Sequence, residues 1–127
     1  MYRKKPVIDS QTYLEDMLEL CNQIKNEKFD CIICLKRSGF MLGAFLSNQL
    51  TLPLFTASEI RSIPVNFKNI LVVDDKICTG KSLNKTVNKL PLLLKIKTAC
   101  MYVESEKLPN FYVRKLNQIH RMWYERE

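Results

Sequence analysis

The sequence contains little glycine, proline, histidine or tryptophan. Its 127 residues include three glycines, five prolines, one histidine and one tryptophan. So few glycines and prolines argue against long flexible linkers, and the length fits a single domain over residues 1–127. No apolar run approaches the roughly 20 residues that a membrane-spanning helix requires. We therefore expect one domain that has no membrane partner.

The sequence also lacks the features of an exported, disulfide-bonded protein. The residues after the basic start Met1–Pro6 are polar, whereas a signal peptide would place an apolar run there. An odd number of cysteines favours reduced thiols over a disulfide framework. These five cysteines are Cys21, Cys31, Cys34, Cys78 and Cys100. We expect a cytoplasmic protein.

Two features invite functional interpretations that the pattern does not support. Cys31 and Cys34 have the spacing of a metal or redox pair, but on a strand they would point to opposite faces. The net charge of +7 suits nucleic acid or a small polyanion, yet the lysines are scattered and no arginine-rich tract occurs. Charge is then the only support for an RNA-binding regulator, and we do not expect a nucleic-acid partner.

Helical and strand patterns alternate along the chain. Apolar residues recur at helical spacing over Asp9–Asn26 and Phe40–Leu50, and a shorter helix is predicted from Ser82 to about Leu90. Short apolar runs predict strands at 29–35, 70–73 and 98–103, with weaker candidates at 53–56 and 111–113. This alternation predicts an α/β fold of three layers, in which a mainly parallel sheet carries helices on both faces.

The segment Ile70–Ser82 concentrates residues that can bind a phosphorylated sugar. Its apolar run ends in Asp74 and Asp75, whose carboxylates can accept hydrogen bonds from vicinal hydroxyls. The loop that follows opens a helix, and backbone N–H groups at such a point bind phosphate. The alternative, a nucleoside-triphosphate P-loop, requires a glycine five positions before Gly80, where Asp75 stands.

This segment resembles the thirteen-residue phosphoribosyl-diphosphate signature of the type I phosphoribosyltransferases. Four apolar residues, two acids and two variable residues precede a phosphate loop of small residues. The resemblance implies that the acid pair holds the ribose hydroxyls and that the loop holds the 5-phosphate. The loop residues are Cys78, Thr79, Gly80, Lys81 and Ser82.

A second motif, Leu35–Gly39, resembles the pyrophosphate loop of that family, especially in its xanthine–guanine branch. The resemblance covers about residues 28–104 and assigns this loop to pyrophosphate binding through Lys36, Arg37, Ser38 and Gly39. The planar guanidinium of Arg37 can bond two phosphate oxygens at once. A basic surface turn is the alternative interpretation of this motif.

The family resemblance further implies a metal, a base pocket and a partner. Mg²⁺ would meet Asp75 through water, and two copies of the chain would form a homodimer. A small C-terminal hood would cover the nucleobase. Its candidate base-binding residues are Tyr112, Arg121, Met122 and Trp123.

Two departures from the family pattern bear on catalysis. Cys78 stands where 6-oxopurine transferases have an aspartate that assists proton transfer, and a thiol replaces that acid poorly. The family usually has a long loop that closes over the site, whereas only Ala57–Lys68 is available here.

The sequence therefore predicts an enzyme that transfers ribose 5-phosphate from phosphoribosyl diphosphate to a nucleobase. Asp74, Asp75 and Arg37 would be its catalytic residues, and a purine is the expected base. The alternative is a module that binds phosphoribosyl diphosphate or a nucleotide without turnover.

Overall fold

A computed structural model describes residues 6–35, 37–77, 80–117 and 120–125 of the chain. The strands, in chain order, are Val7–Ile8 (β1), Cys31–Cys34 (β2), Leu54–Thr56 (β3), Asn69–Ile77 (β4), Lys95–Val103 (β5), Phe111–Lys115 (β6) and Arg121–Met122 (β7). The helices are Ser10–Ile24 (α1), Phe40–Leu50 (α2) and Lys81–Asn88 (α3), with a 3₁₀ segment at Ala57–Ser62.

Five strands form the central sheet in the order β3-β2-β4-β5-β6. Every pairing in the described part of this sheet is parallel. Parallel neighbours place their carboxyl ends at one edge, so the loops after β2, β4 and β5 lie along the same side of the sheet. β1 and β7 pair separately, also in parallel, as a small second sheet.

The two faces of the sheet bury different residues of each strand. Cys34 and Leu71 face the core beneath α1 and α2, whereas Cys31 and Val72 face the core beneath α3 and the 3₁₀ segment. This alternation follows the two-residue repeat of a strand. The predicted three-layer α/β class is confirmed, and Cys31 and Cys34 do point to opposite faces.

Helix α1 is fixed to the sheet through one buried carboxylate. Asp16 is 4% exposed and accepts hydrogen bonds from the Tyr102 hydroxyl at 2.6 Å and from Arg114 Nε and Nη2 at 2.9 and 3.0 Å. Asp9 caps the start of the helix by accepting from the Thr12 amide at 2.8 Å. A buried carboxylate with three donors is well compensated, so α1 is held in one position over β5 and β6.

The structure departs from the predicted elements mainly at β4 and at the N-terminus. β4 was expected to end at Val73, but it continues to Ile77 because the equally long β5 keeps pairing with it, Lys76 with Tyr102 and Ile77 with Val103. β1 was not predicted, because a strand of two residues has no periodicity to detect. Within the described ranges, no helix is long and apolar enough to cross a membrane.

Gly43 provides a test of the packing between α2 and the sheet. A Cβ at this position would lie 2.7 Å from Cys34 Cβ and 3.1 Å from Leu54 Cδ1. Gly43→Ala should lower the free energy of unfolding by about 1–2 kcal/mol, because overpacking outweighs the gain in helix propensity. Urea unfolding measures this change. The exposed Asn48→Ala on the same helix is the control, and equal stability of the two variants would contradict the close contact.

Candidate functional site

Two buried carboxylates lie near the carboxyl end of β4. Asp74 is 7% exposed and Asp75 is 1% exposed. Because consecutive strand residues face opposite sides, the two acids point into different surroundings. Asp74 Oδ1 accepts hydrogen bonds from Ser38 Oγ and from the Asp75 amide, each at 2.8 Å. Asp74 therefore links the end of β4 to the loop between β2 and α2.

Asp75 points toward α1 and is bonded by a tyrosine. The Tyr13 hydroxyl donates to Asp75 Oδ1 in a short hydrogen bond. Oδ2 of Asp75 is buried and has no hydrogen-bond partner among the described residues. Burial raises the pKa of Asp75 to about 7; the Tyr13 hydrogen bond opposes this shift, and the charges of Asp74 and Glu125 add to it. A buried carboxylate oxygen without a donor is a ready acceptor for a ligand.

The loop between β2 and α2 is held tightly against the sheet. The Gly39 amide donates to Leu35 O at 2.9 Å, and the Leu35 amide donates to Val73 O at 3.1 Å. A Cβ on Gly39 would lie 2.8 Å from Leu35 O and 3.0 Å from Val73 O, so a side chain does not fit there. The absence of a side chain at Gly39 lets the loop turn sharply and brings Arg37 and Ser38 beside the acid pair.

A cleft of about 560 Å³ opens at this edge, a volume usual for small-molecule sites. Three of its lining residues, Arg37, Ser38 and Asp75, were predicted from the sequence. Sequence reasoning did not assign the others a role in the site. They are Phe40, Met41, Lys76, Tyr124 and Glu125.

The predicted phosphate loop is described from Gly80 onward. Gly80 has φ 83°, in the left-handed region that glycine adopts without strain, and it stands at the N-cap of α3. Lys81 and Ser82 are exposed in the first turn of that helix, where backbone N–H groups attract anions. Lys36, Cys78 and Thr79 were also predicted as binding residues and lie outside the described residues.

We call the small sheet of β1 and β7, together with residues 123–125, the hood. An aromatic cluster lies where the hood meets α1. The Trp123 and Tyr124 rings meet edge-on at 5.6 Å, and both meet Tyr13 edge-on, at 6.4 and 6.0 Å between centroids. Tyr124 lines the cleft, and Trp123 is 41% exposed. Aromatic rings beside a polar cleft are suited to stack on a planar ligand.

The structure brings together only part of the predicted base-binding set. Arg121 and Trp123 belong to the hood, and Arg121 Nη1 donates to Glu125 O at 2.5 Å. Met122 is 1% exposed in the core, so its side chain is covered by protein. Tyr112 packs with the cluster beneath α3, on the opposite face from the Tyr13 side of the sheet. The sequence did not show the burial of Met122 or the side of the sheet on which Tyr112 packs, because a pattern of two or three residues does not reveal which face is buried.

Tyr13 and Lys76 are among the site residues that sequence reasoning missed. The helical spacing of Tyr13 predicted only that it lies on the apolar face of α1. Spacing along a helix does not show that the Tyr13 hydroxyl reaches Asp75 on β4. Lys76 follows the acid pair directly; its Nζ donates to His120 O at 2.9 Å and lies 3.7 Å from Glu104 Oε1. Adjacency of Lys76 to Asp74 and Asp75 was the one signal that could have suggested it.

Comparison with known proteins decides what fold this site belongs to. No family model and no curated protein matches the sequence. A xanthine-guanine-hypoxanthine phosphoribosyltransferase from Helicobacter pylori matches the structure with a TM-score of 0.84 at 22% identity, over 94% of this chain and 92% of that one. The chain has the fold of the type I phosphoribosyltransferases.

Two further structures share the phosphoribosyltransferase fold. A purine phosphoribosyltransferase from Pyrococcus horikoshii matches with a TM-score of 0.79 at 22% identity, over 95% of both chains. A hypothetical protein from Neisseria gonorrhoeae with bound ppGpp matches with a TM-score of 0.73 at 15% identity, over 95% of this chain and 89% of that one.

The buried position of Asp75 in this phosphoribosyltransferase fold predicts a pH-dependent stability. The pKa of Asp75 is higher in the folded protein than in the unfolded chain, so its protonated form favours folding. That contribution is full below about pH 4 and is lost as the pH rises through about 7. Relative to Asp75→Asn, the wild-type protein should therefore lose on the order of 3 kcal/mol between pH 4 and 8.

Urea unfolding in the presence of EDTA at several pH values measures this difference. Asp9→Asn is the control, because hydrogen bonds from Thr12 hold the pKa of the exposed Asp9 below its usual range. The contribution of Asp9 is lost only as the pH falls below about 4, so it should change little as the pH rises to about 8. A constant difference between wild type and Asp75→Asn across this range would contradict the raised pKa.

Proposed function

We propose that this protein is a phosphoribosyltransferase that transfers ribose 5-phosphate from phosphoribosyl diphosphate to a purine base and releases pyrophosphate. The observation that carries the proposal is the cleft in which Arg37 and Ser38 lie beside Asp75. Support comes from the likeness of the whole domain to structures named as purine phosphoribosyltransferases. The match extends over 92% and 95% of those two proteins, so the small size of this chain does not argue against the proposed activity.

The reaction would need positioning and charge stabilisation rather than a protein nucleophile. The bond from the anomeric carbon to the pyrophosphate oxygen breaks, and a base nitrogen forms its bond to the opposite face of that carbon. The nitrogen's proton passes to solvent or to the departing pyrophosphate. Negative charge grows on the pyrophosphate, and the guanidinium of Arg37 would stabilise it.

The acid pair and the α3 start would hold the ribose 5-phosphate. Asp74 and Asp75 would accept hydrogen bonds from the ribose hydroxyls, and residues 78–82 would bind the 5-phosphate at the start of α3. The left-handed φ of Gly80 allows the backbone to turn its N–H groups toward that phosphate. Lys81 adds a positive charge at the same helix end.

The carboxylates present suit Mg²⁺. Mg²⁺ takes oxygen ligands and is usually held by one or two carboxylates together with substrate phosphates and water. The adjacent carboxylates of Asp74 and Asp75 are such groups. Asp75 would meet the ion through water, and the bound ion would neutralise charge on the pyrophosphate. A homodimer stays a prediction.

The base would lie between the sheet edge and the hood. Tyr124 lines the cleft with Asp75 and Glu125, and Trp123 packs edge-on against Tyr124. We infer that Tyr124, packed against Trp123, stacks on the base, because Tyr112 packs with the core beneath α3 and does not line the cleft.

A second candidate function, binding without turnover, is favoured by the segment that would serve as a lid. Ile60, Ile63 and Phe67 of the stretch 57–68 pack against the core beneath α3. A segment packed in this way is not free to close over the cleft. The related Neisseria gonorrhoeae structure has bound ppGpp, so a nucleotide regulator is the form this second function would take.

Base-dependent turnover separates the two functions. With phosphoribosyl diphosphate and Mg²⁺, the protein should release pyrophosphate when a purine is added from a panel of adenine, guanine, hypoxanthine, xanthine, uracil and orotate. Coupled detection of pyrophosphate measures the rate for each base. Binding of phosphoribosyl diphosphate without release for any base would instead establish the binding module.

The acid pair is tested by Asp74→Asn combined with Asp75→Asn. Losing charged acceptors for sugar hydroxyls should weaken phosphoribosyl diphosphate binding by about 100-fold or more while the fold persists. Calorimetry gives the affinity and circular dichroism checks the fold. Asp30→Asn is the matched control, since Asp30 accepts from the Lys68 and Asn69 amides at the opposite end of β4. Unchanged affinity in the double variant would refute the site assignment.

A further inference from the structure

Each acid of the pair has one carboxylate oxygen bonded within the protein. Asp74 Oδ1 accepts from Ser38 and from the Asp75 amide, and Asp75 Oδ1 accepts from the Tyr13 hydroxyl. Asp75 Oδ2 is buried and has no partner among the described residues, while Asp75 lines the cleft. Oδ2 is therefore the one oxygen of Asp75 to which no described residue donates.

Tyr13 is well placed to fix that orientation. Its side chain is 1% exposed, and its ring packs edge-on against Trp123 and Tyr124 at 6.4 and 6.0 Å. One turn along α1, Asp16 ties the helix to Tyr102 and Arg114. Ring packing and helix anchoring together leave the hydroxyl little freedom. Burial and the nearby Asp75 raise the pKa of Tyr13, so the phenol keeps its proton and acts as a donor.

We propose that Tyr13 is a positioning residue that holds the Asp75 carboxylate so that Oδ2 alone accepts one hydroxyl of the sugar. This inference rests on the proposed function, because the ligand is a ribose phosphate. Without the Tyr13 hydroxyl, the carboxylate can rotate about its Cβ–Cγ bond and present either oxygen. Binding of the sugar then costs the entropy of fixing the carboxylate in one orientation, so the affinity is lower.

The chain supplies a matched comparison for a purely structural role. Tyr102 is also fully buried and also donates its hydroxyl to a buried carboxylate, Asp16, at 2.6 Å. Asp16 does not line the cleft, and its two hydrogen bonds from Arg114 still anchor α1 when the Tyr102 hydroxyl is removed. Tyr13→Phe and Tyr102→Phe thus each remove one hydrogen bond from a tyrosine to a buried carboxylate. Tyr13→Phe removes the bond to Asp75, which lines the cleft, and Tyr102→Phe removes the bond to Asp16, which does not.

Affinity measurements on these two variants test the proposal. The probes are phosphoribosyl diphosphate and the 5′-monophosphates of adenosine, guanosine, inosine and xanthosine, by calorimetry without Mg²⁺. Tyr13→Phe should weaken the tightest of these by about tenfold, whereas Tyr102→Phe should change it less than about twofold. In the Asp75→Asn background, Tyr13→Phe should have no further effect. Retained affinity in Tyr13→Phe would overturn the proposal.

A second measurement needs no variant of Tyr13. The 2′-deoxy and 3′-deoxy forms of the tightest nucleotide should each bind wild-type protein about tenfold more weakly than the parent. Asp75→Asn should lose discrimination against only one of the two, because Asp75 has one oxygen for the ligand. Loss of discrimination against both, or against neither, would overturn the assignment of a single acceptor.

The two levels of failure are distinguishable. If wild-type protein binds neither phosphoribosyl diphosphate nor any of the four nucleotides, the proposed function is wrong and this inference with it. If wild-type protein binds and Tyr13→Phe binds equally well, the proposed function stands and the inference alone is wrong.

Discussion

The burial of two adjacent carboxylates at the end of β4 is the constraint on which the site depends. Taking carboxylates out of water is costly unless donors reach them. The loop after β2 supplies Ser38 to Asp74, and helix α1 supplies Tyr13 to Asp75. These two contacts join three separate stretches of chain at one point. Asp75 also lines the cleft, and its other carboxylate oxygen has no donor among the described residues.

The positions of the supporting elements follow from the same requirement. Tyr13 reaches β4 only because α1 lies across the sheet, where Asp16 binds Tyr102 and Arg114. The loop reaches Asp74 only because Gly39 allows the backbone to pack against Leu35 and Val73. The interior that stabilises the domain therefore also sets the geometry of the cleft, and changes in core packing are expected to affect ligand binding.

Two observations bear on whether the proposed site catalyses a reaction or only binds a ligand. One is the likeness to named phosphoribosyltransferases, and the other is the packing of the 57–68 stretch. A domain of nearly the same extent as the Helicobacter pylori and Pyrococcus horikoshii structures has room for the same chemistry. Ile60, Ile63 and Phe67 of this stretch nevertheless pack against the core beneath α3 rather than over the cleft. Chemistry that needs exclusion of water would have to obtain it from the hood, where Tyr13, Trp123 and Tyr124 meet.

The sequence by itself determined the α/β class, the order of the main elements and the place of the acid pair. These features are local, because strand runs, helical spacing and the motif 70–82 are each contained in a few consecutive residues. Only the tertiary structure decided that Tyr13 bonds Asp75, that Tyr124 lines the cleft and that Tyr112 lies beneath α3. The hydrogen bond between Tyr13 and Asp75 alone joins residues 62 positions apart. Such pairings depend on how helices and hood pack onto the sheet, which no local pattern records.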